Sequence, residues 1–225
     1  MNGQLNLAIL LFDDVEILDF CGPYEVFSVA SRQTDTPAFN AFNAFNAFTV
    51  FTVFTVFTVF TAFNAFNVFT VAEEIKPVTT SNGLSVNPDS SLDDCPKVDI
   101  LLIPGGIGTR QQMENEVIIE WIRNRASTAE LVLSVCTGAL LLAKSQLLNG
   151  LDVTTHHVAY DLLRELAPTA TVHEDRRYLD NGKIVTAAGI AAGIDMSLHV
   201  VGRLHGPKVA AATANHMEYP WQEQS

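Results

Sequence analysis

ELVLSVCTGALLL, residues 130–142, is the stretch that decides the fold. Leu131, Val132, Leu133, Ser134 and Val135 make a short apolar run, which reads as a buried strand of a parallel sheet. Cys136, Thr137 and Gly138 follow, and then an Ala/Leu-rich run of strong helix formers. One cysteine therefore stands where a strand turns into a helix. This is the arrangement of a nucleophile elbow, with a thiol in place of a hydroxyl. A helix N-terminus favours the thiolate, the nucleophilic form. The small residues Thr137, Gly138 and Ala139 leave a ligand room to approach. A plain core cysteine is the competing reading, since unpaired cysteine is among the most buried residue types.

On the N-terminal side, Val98–Ile103 (VDILLI) is another buried strand. It ends in Pro104-Gly105-Gly106-Ile107-Gly108, where glycines bring backbone N–H groups to the end of the sheet. The spacing is neither a dinucleotide fingerprint nor a P-loop. Thr109 to Ala126 has helical periodicity, with Met113, Val117, Ile118, Trp121 and Ile122 on one face. On the C-terminal side, Asn149-Gly150 ends the elbow helix. A strand over Leu151–Thr155, then His156-His157 and a helix over Ala159–Ala167 follow. Val172–His173, Arg177–Leu179 and Lys183–Ala187 read as strands, the last two joined by an Asp180-Asn181-Gly182 turn. Gly189–Gly193 is a small-residue loop before helices over Asp195–Leu204 and Lys208–Met217.

The chain begins with the apolar run Leu5–Phe12, a central strand, followed by the acidic Asp13, Asp14 and Glu16. In open α/β sheets the carboxyl ends of the strands are where ligands bind. Asp19 comes next, then Gly22-Pro23, with Pro23 placed to start a helix over Tyr24–Ser31. Asp19 is then an N-cap or a proton-transfer group. An Asn82-Gly83 turn between β-prone segments marks a hairpin within Ile75–Leu92. Residues 38–70 repeat an Ala/Val-Phe-Asn/Thr unit eleven times. Period three fits neither strand nor helix, and a regular conformation would expose phenylalanines. An artefact or a triplet expansion accounts for it better than a solenoid; Val68–Ala72 alone would make an ordinary strand. It receives no catalytic role.

Strands alternating with helices predict one α/β domain over residues 1–225, a mostly parallel sheet with helices on both faces. Thirteen basic residues against 25 acidic ones, a net charge of −12, argue against nucleic acid and anionic membranes as partners. Cys21, Cys95 and Cys136 form no CxxC pair, so no disulfide framework or zinc site is expected, and a reducing cytoplasm fits. Leu5–Phe12 is too short to span a bilayer. His156 and His157 lack the spacing of a helical metal site, so neither metal nor cofactor is expected.

Five motifs in order resemble the ThiJ/PfpI superfamily, a flavodoxin-like branch of the class I glutamine amidotransferase-like fold. They are Asp19-x-x-Gly22-Pro23, Ile103-Pro104-Gly105-Gly106, Val135-Cys136-Thr137-Gly138, Thr154-Thr155-His156 and Gly189-Ile190-x-x-Gly193-Ile194-Asp195. The LDFCGP, SVCTG, TTH and GIAAGID segments are most similar to bacterial isonitrile (isocyanide) hydratases, and also occur in the sensor half of AraC-type regulators. The resemblance implies Cys136 as nucleophile, Asp19 as proton carrier and Thr137 as an assisting donor. It implies a pocket with an oxyanion site at the Gly105-Gly106 turn, where Gly106 and Thr137 offer N–H groups, lined by Gly189 and Ile190. It implies His156 as a pocket residue and a homodimer as the assembly. The implied reaction converts a small isonitrile to an N-substituted formamide. Two alternatives stay open: a glyoxalase-like or amide-cleaving enzyme using Cys136 and His156, and a non-enzymatic sensor in which Cys136 reports oxidants.

Overall fold

The computed structural model describes residues 4–33 and 65–222. The chain opens with β1 (Leu5–Leu10), α1 (Ile17–Gln33) and β2 (Phe66–Ala72). Short strands β3 (Val78–Thr79), β4 (Ser85–Val86) and β5 (Ser90–Ser91) lead to β6 (Ile100–Ile103), α2 (Thr109–Gln112) and α3 (Glu116–Thr128). Then come β7 (Leu131–Val135), α4 (Gly138–Lys144), β8 (Asp152–Val153), a 3-10 turn (His157–Ala159) and α5 (Tyr160–Leu166). The described chain ends with β9 (Thr171–Val172), β10 (Tyr178–Asp180), β11 (Ile184–Ala187), α6 (Ala192–His205) and α7 (Pro207–His216).

Seven of these strands form one sheet in the order β10-β11-β7-β6-β1-β2-β5. All pairings in it are parallel except β10 with β11, which the Asp180–Gly182 turn joins as an antiparallel hairpin. Strands β6 and β7 are buried along their whole length, as continuous apolar runs in a doubly covered sheet must be. The helices form two layers: α1 packs with α6 and α7, while α4 packs with α2, α3 and α5. The five long parallel strands, β2-β1-β6-β7-β11, have the flavodoxin-like order. The order in which strands are added reverses between the parallel neighbours β1 and β6, which opens a crevice at their carboxyl ends.

Three helices differ from the sequence expectation, the elbow helix by ending at Lys144 and not at Asn149-Gly150. Helix α1 starts at Ile17, not at Pro23, and Pro23 lies inside it. Proline there removes the hydrogen bond to the Asp19 carbonyl and crowds that carbonyl with its ring. The buried Phe20, Val26, Phe27, Val29 and Ala30 carry the helix across that gap. Asp19 is therefore a first-turn residue and not an N-cap. The helix expected over 109–126 is split in two, because the Asn115 side chain accepts from Val117 N and Ile118 N and starts α3 afresh. Val117 is thereby turned to solvent and Ile119 is buried instead.

Most of the triplet repeat lies outside the described residues. Its last two units form most of β2, pairing with β1 in the register Leu5↔Phe66 to Leu10↔Val71. Phe66 and Phe69 point to opposite faces of the strand, yet both are buried, because this sheet is covered on both sides. Phe66 meets Phe27 of α1 edge-on at 5.0 Å. Ser31 Oγ both donates to the Phe66 carbonyl and accepts its N–H, each at 3.0 Å. Asp89 takes the Thr70 N–H and hydroxyl at 2.8 Å. Ala72, the first residue after Val71, is also buried.

Candidate active site

Strand β7 delivers Cys136 to the carboxyl edge of the sheet, and the chain must turn at once to enter α4. Cys136 takes φ 56°, a left-handed conformation that costs a non-glycine residue energy and that marks an elbow. Its N–H is held by the Ala187 and Ala188 carbonyls at 3.1 Å, and its carbonyl by the Thr155 hydroxyl at 2.7 Å. The backbone is thus fixed from two neighbouring elements. The thiol is buried. Burial, then the Asp19 charge, push its pKa up to about 12, against the N–H groups of Thr137 and Ile190 that favour the thiolate. The lowering expected from the helix N-terminus is real in sign but loses to desolvation; α4 is only seven residues long.

Asp19 is completely buried beside this sulfur. Gly105 N–H donates to its Oδ2 at 3.0 Å. Oδ1 has no regular hydrogen-bond partner. The carboxyl and the thiol interact without the geometry of a full hydrogen bond, as is common before substrate arrives. Burial raises the Asp19 pKa to about 7, the Gly105 N–H and the thiol pull the other way, and the Glu16 charge adds to the rise. Two buried acids in contact cannot both be charged, so the pair holds a shared proton near neutral pH.

The turn after β6 closes the other side of the crevice. Gly105 allows this approach: a Cβ there would come within 2.7 Å of Thr137 Oγ1 and 2.8 Å of Asp19 Oδ2. Thr137 uses its hydroxyl to accept Gly106 N–H at 3.0 Å and to donate to the Gly106 carbonyl at 3.1 Å. Both glycine N–H groups are therefore engaged by side chains. The N–H groups of Thr137 and Ile190 favour a charged sulfur without the geometry of full hydrogen bonds to it. Thr109 Oγ1 lies 3.2 Å from Thr137 Oγ1 and extends the network onto α2.

Ile190 sits between β11 and α6 with φ 53°, a strained value for a β-branched residue. Gly189 beside it lets the His156 ring close in, since a Cβ would collide with His156 Cδ2. His156 caps the 3-10 turn: its Nδ1 accepts Val158 N–H at 3.4 Å. Burial, then His157 and Arg110, hold its pKa below the usual histidine range. Cys136, Asp19, Thr137, Gly105, Gly106, Gly189, Ile190 and His156 thus meet at one sheet edge, contributed by five separate segments. A thiol at an elbow, a buried acid able to hold a proton, and converging N–H groups suit addition of sulfur to a small electrophile.

Residues 6–203 match the DJ-1/PfpI family. The chain belongs to the DJ-1/PfpI family. It is 32% identical to an isonitrile hydratase of Pseudomonas putida over 215 residues, 96% of this chain and 78% of that protein. It is 29% identical over 150 residues to the HTH-type transcriptional regulator GbdR of Pseudomonas aeruginosa, a match spanning 67% of this chain and 40% of the regulator. A crystal structure of a ThiJ/PfpI family protein from Pseudomonas syringae superposes with TM-score 0.77 at 23% identity, covering 98% of this chain and 77% of that one.

In this DJ-1/PfpI chain, sequence reasoning missed Thr155, which holds the Cys136 carbonyl, and Thr109 and Arg110, which border the Gly105-Gly106 turn. Thr155 was legible as part of the TTH motif, but only its histidine drew notice. The Thr109-Arg110 pair follows the glycine turn directly and was read merely as the start of a helix. The interaction of Glu16 with Asp19 and His156 has no signal in the sequence, because it depends on where β1 ends relative to α1.

Proposed function

We propose that the protein is an enzyme that hydrates small isonitriles to N-substituted formamides. The observation that carries this reading is the buried Asp19 carboxyl, with one oxygen unpaired and its pKa near neutrality, against the elbow thiol. An acid so placed can give a proton at pH 7 and take it back. The 32% identical hydratase from Pseudomonas putida supports the same assignment.

The pair reacts through its minor Cys136 thiolate–Asp19 acid tautomer, reached when the Asp19 carboxylate takes the thiol proton. Sulfur bonds to the terminal carbon of R–N≡C while the Asp19 proton passes to that carbon, giving the thioimidate R–N=CH–S and an Asp19 carboxylate. The nitrogen takes a proton from solvent. Water adds to the carbon, its proton going to Asp19. The hydroxyl of the adduct loses its proton to solvent as the C–S bond breaks, and R–NH–CHO leaves with the thiolate restored. The Thr137 and Ile190 N–H groups stabilise sulfur at the start and end of the cycle, when it is charged.

Incubation with a small isonitrile and, separately, with methylglyoxal tests the proposal, with formamide and lactate read side by side. Formamide release that disappears in a Cys136→Ala protein is the expected result. Lactate without formamide assigns the glyoxalase-like reaction, and neither product favours a sensor.

A further inference from the structure

We infer that the mouth of the Cys136 site receives a carboxylate between the Arg110 guanidinium and the His156 ring, so that the preferred isonitrile carries an anionic group at the far end of R. The inference rests on the hydratase reading for the reacting end, and on separate residues for the charged end.

Arg110 is half-buried on α2. Its Nη1 donates to Thr109 Oγ1 at 3.2 Å, and Thr109 Oγ1 lies 3.2 Å from Thr137 Oγ1, beside the nucleophile. His156 borders the sulfur from another element, through Gly189 and Ile190. The guanidinium is near enough to disfavour the charged form of His156. Because Nδ1 of the ring accepts Val158 N–H, a neutral ring carries its proton on Nε2 and offers a donor.

Among the described residues Arg110 enters no ion pair, in a chain with 25 acidic and 13 basic residues. Glu16 acts on both Asp19 and His156, yet it forms no ion pair with Arg110. His157 stacks beside His156 at 4.3 Å and adds no acceptor for the guanidinium. A planar fork of donors without a carboxylate, tied through Thr109 to Thr137, and a neutral imidazole N–H packed against Gly189 both border the nucleophile, and together they fit a ligand carboxylate.

The test compares 3-isocyanopropanoate with butyl isocyanide. In the parent the carboxylate is favoured in kcat/KM. Arg110→Gln lowers that selectivity about ten- to hundred-fold, the usual worth of a hydrogen bond to a charged group, and Arg110→Lys restores part of it. A parent that prefers the neutral substrate, or a selectivity untouched by Arg110→Gln, overturns the inference. A second measurement needs no turnover: N-formyl-β-alanine is titrated into the parent while the His156 ring is followed by NMR. Its pKa rises as the carboxylate binds, and N-butylformamide leaves it unmoved. Binding of N-formyl-β-alanine with no hydration of either isonitrile refutes the hydratase reading and keeps the anion site. Hydration without carboxylate preference or His156 response does the reverse.

Discussion

Replacing Asp19 by Asn separates a proton carrier from a structural acid, and its effect on stability can be worked out beforehand. Burial raises the Asp19 pKa from 3.8 to about 7. That rise of about three units corresponds to ~4 kcal/mol of differential stability between its two protonation states. The folded state holds the proton more tightly than the unfolded state does. Stability from this group is therefore fully present below the unfolded value of about 4 and is lost as pH rises through about 7. Asn cannot ionise and keeps a carbonyl for the Gly105 N–H. Between pH 4 and pH 8 the parent should thus lose ~4 kcal/mol relative to Asp19→Asn. Urea denaturation of both proteins at the two pH values reads this difference, because other titrating groups cancel. At pH 8 the variant should be the more stable protein while turning over isonitrile about a hundred-fold slower or worse, the usual worth of acid–base catalysis. Parallel stability profiles would show that Asp19 is ionised at little cost, and the proton-carrier role would fall with that.

Cys136→Ala should fold like the parent and lose all formamide release; residual turnover in a folded sample would contradict the covalent route. Gly105→Ala should cost at least ten-fold in kcat, because its Cβ would press on Thr137 and Asp19, and an unchanged kcat would mean that this contact does not matter. His156→Asn should retain most turnover of butyl isocyanide, in contrast to Asp19→Asn; the opposite ranking in the same assay would favour a Cys/His mechanism. Light scattering at micromolar concentration should give twice the chain mass, and a monomer mass would count against the homodimer.

Much of this was legible in the chain. The buried strands around Ala8, Leu102 and Leu133 announce themselves as apolar runs, and the elbow follows from Cys136 standing between such a run and Gly138. Asp19 was found as a candidate, but its setting was not, because Pro23 reads as a helix start. Only the packing of Phe20, Val26 and Phe27 against the sheet carries α1 through a proline. The balance at Cys136 was also hidden. A helix N-terminus can be read from local sequence, whereas the desolvation that outweighs it depends on segments distant in the chain. His156 was legible as a candidate, whereas Arg110, whose charge acts on it, was not, since that relation depends on folding.

The buried Ala72 at the end of β2 matters for how the chain finds its own alignment. A repeat of near-identical triplets offers β1 many competing partners, each shifted by a multiple of three residues. Every such shift brings a phenylalanine, Phe69, Phe66 or an earlier one, to the place of Ala72. That place is filled, and overpacking of this kind is itself destabilising. A shift of three also exchanges the two faces of the strand, and it puts Asn67 where Thr70 meets Asp89. One small side chain thus acts as an end stop that breaks a translational degeneracy. An Ala72→Phe chain, which extends the phenylalanine period by one unit, should refold through slow, mis-registered populations.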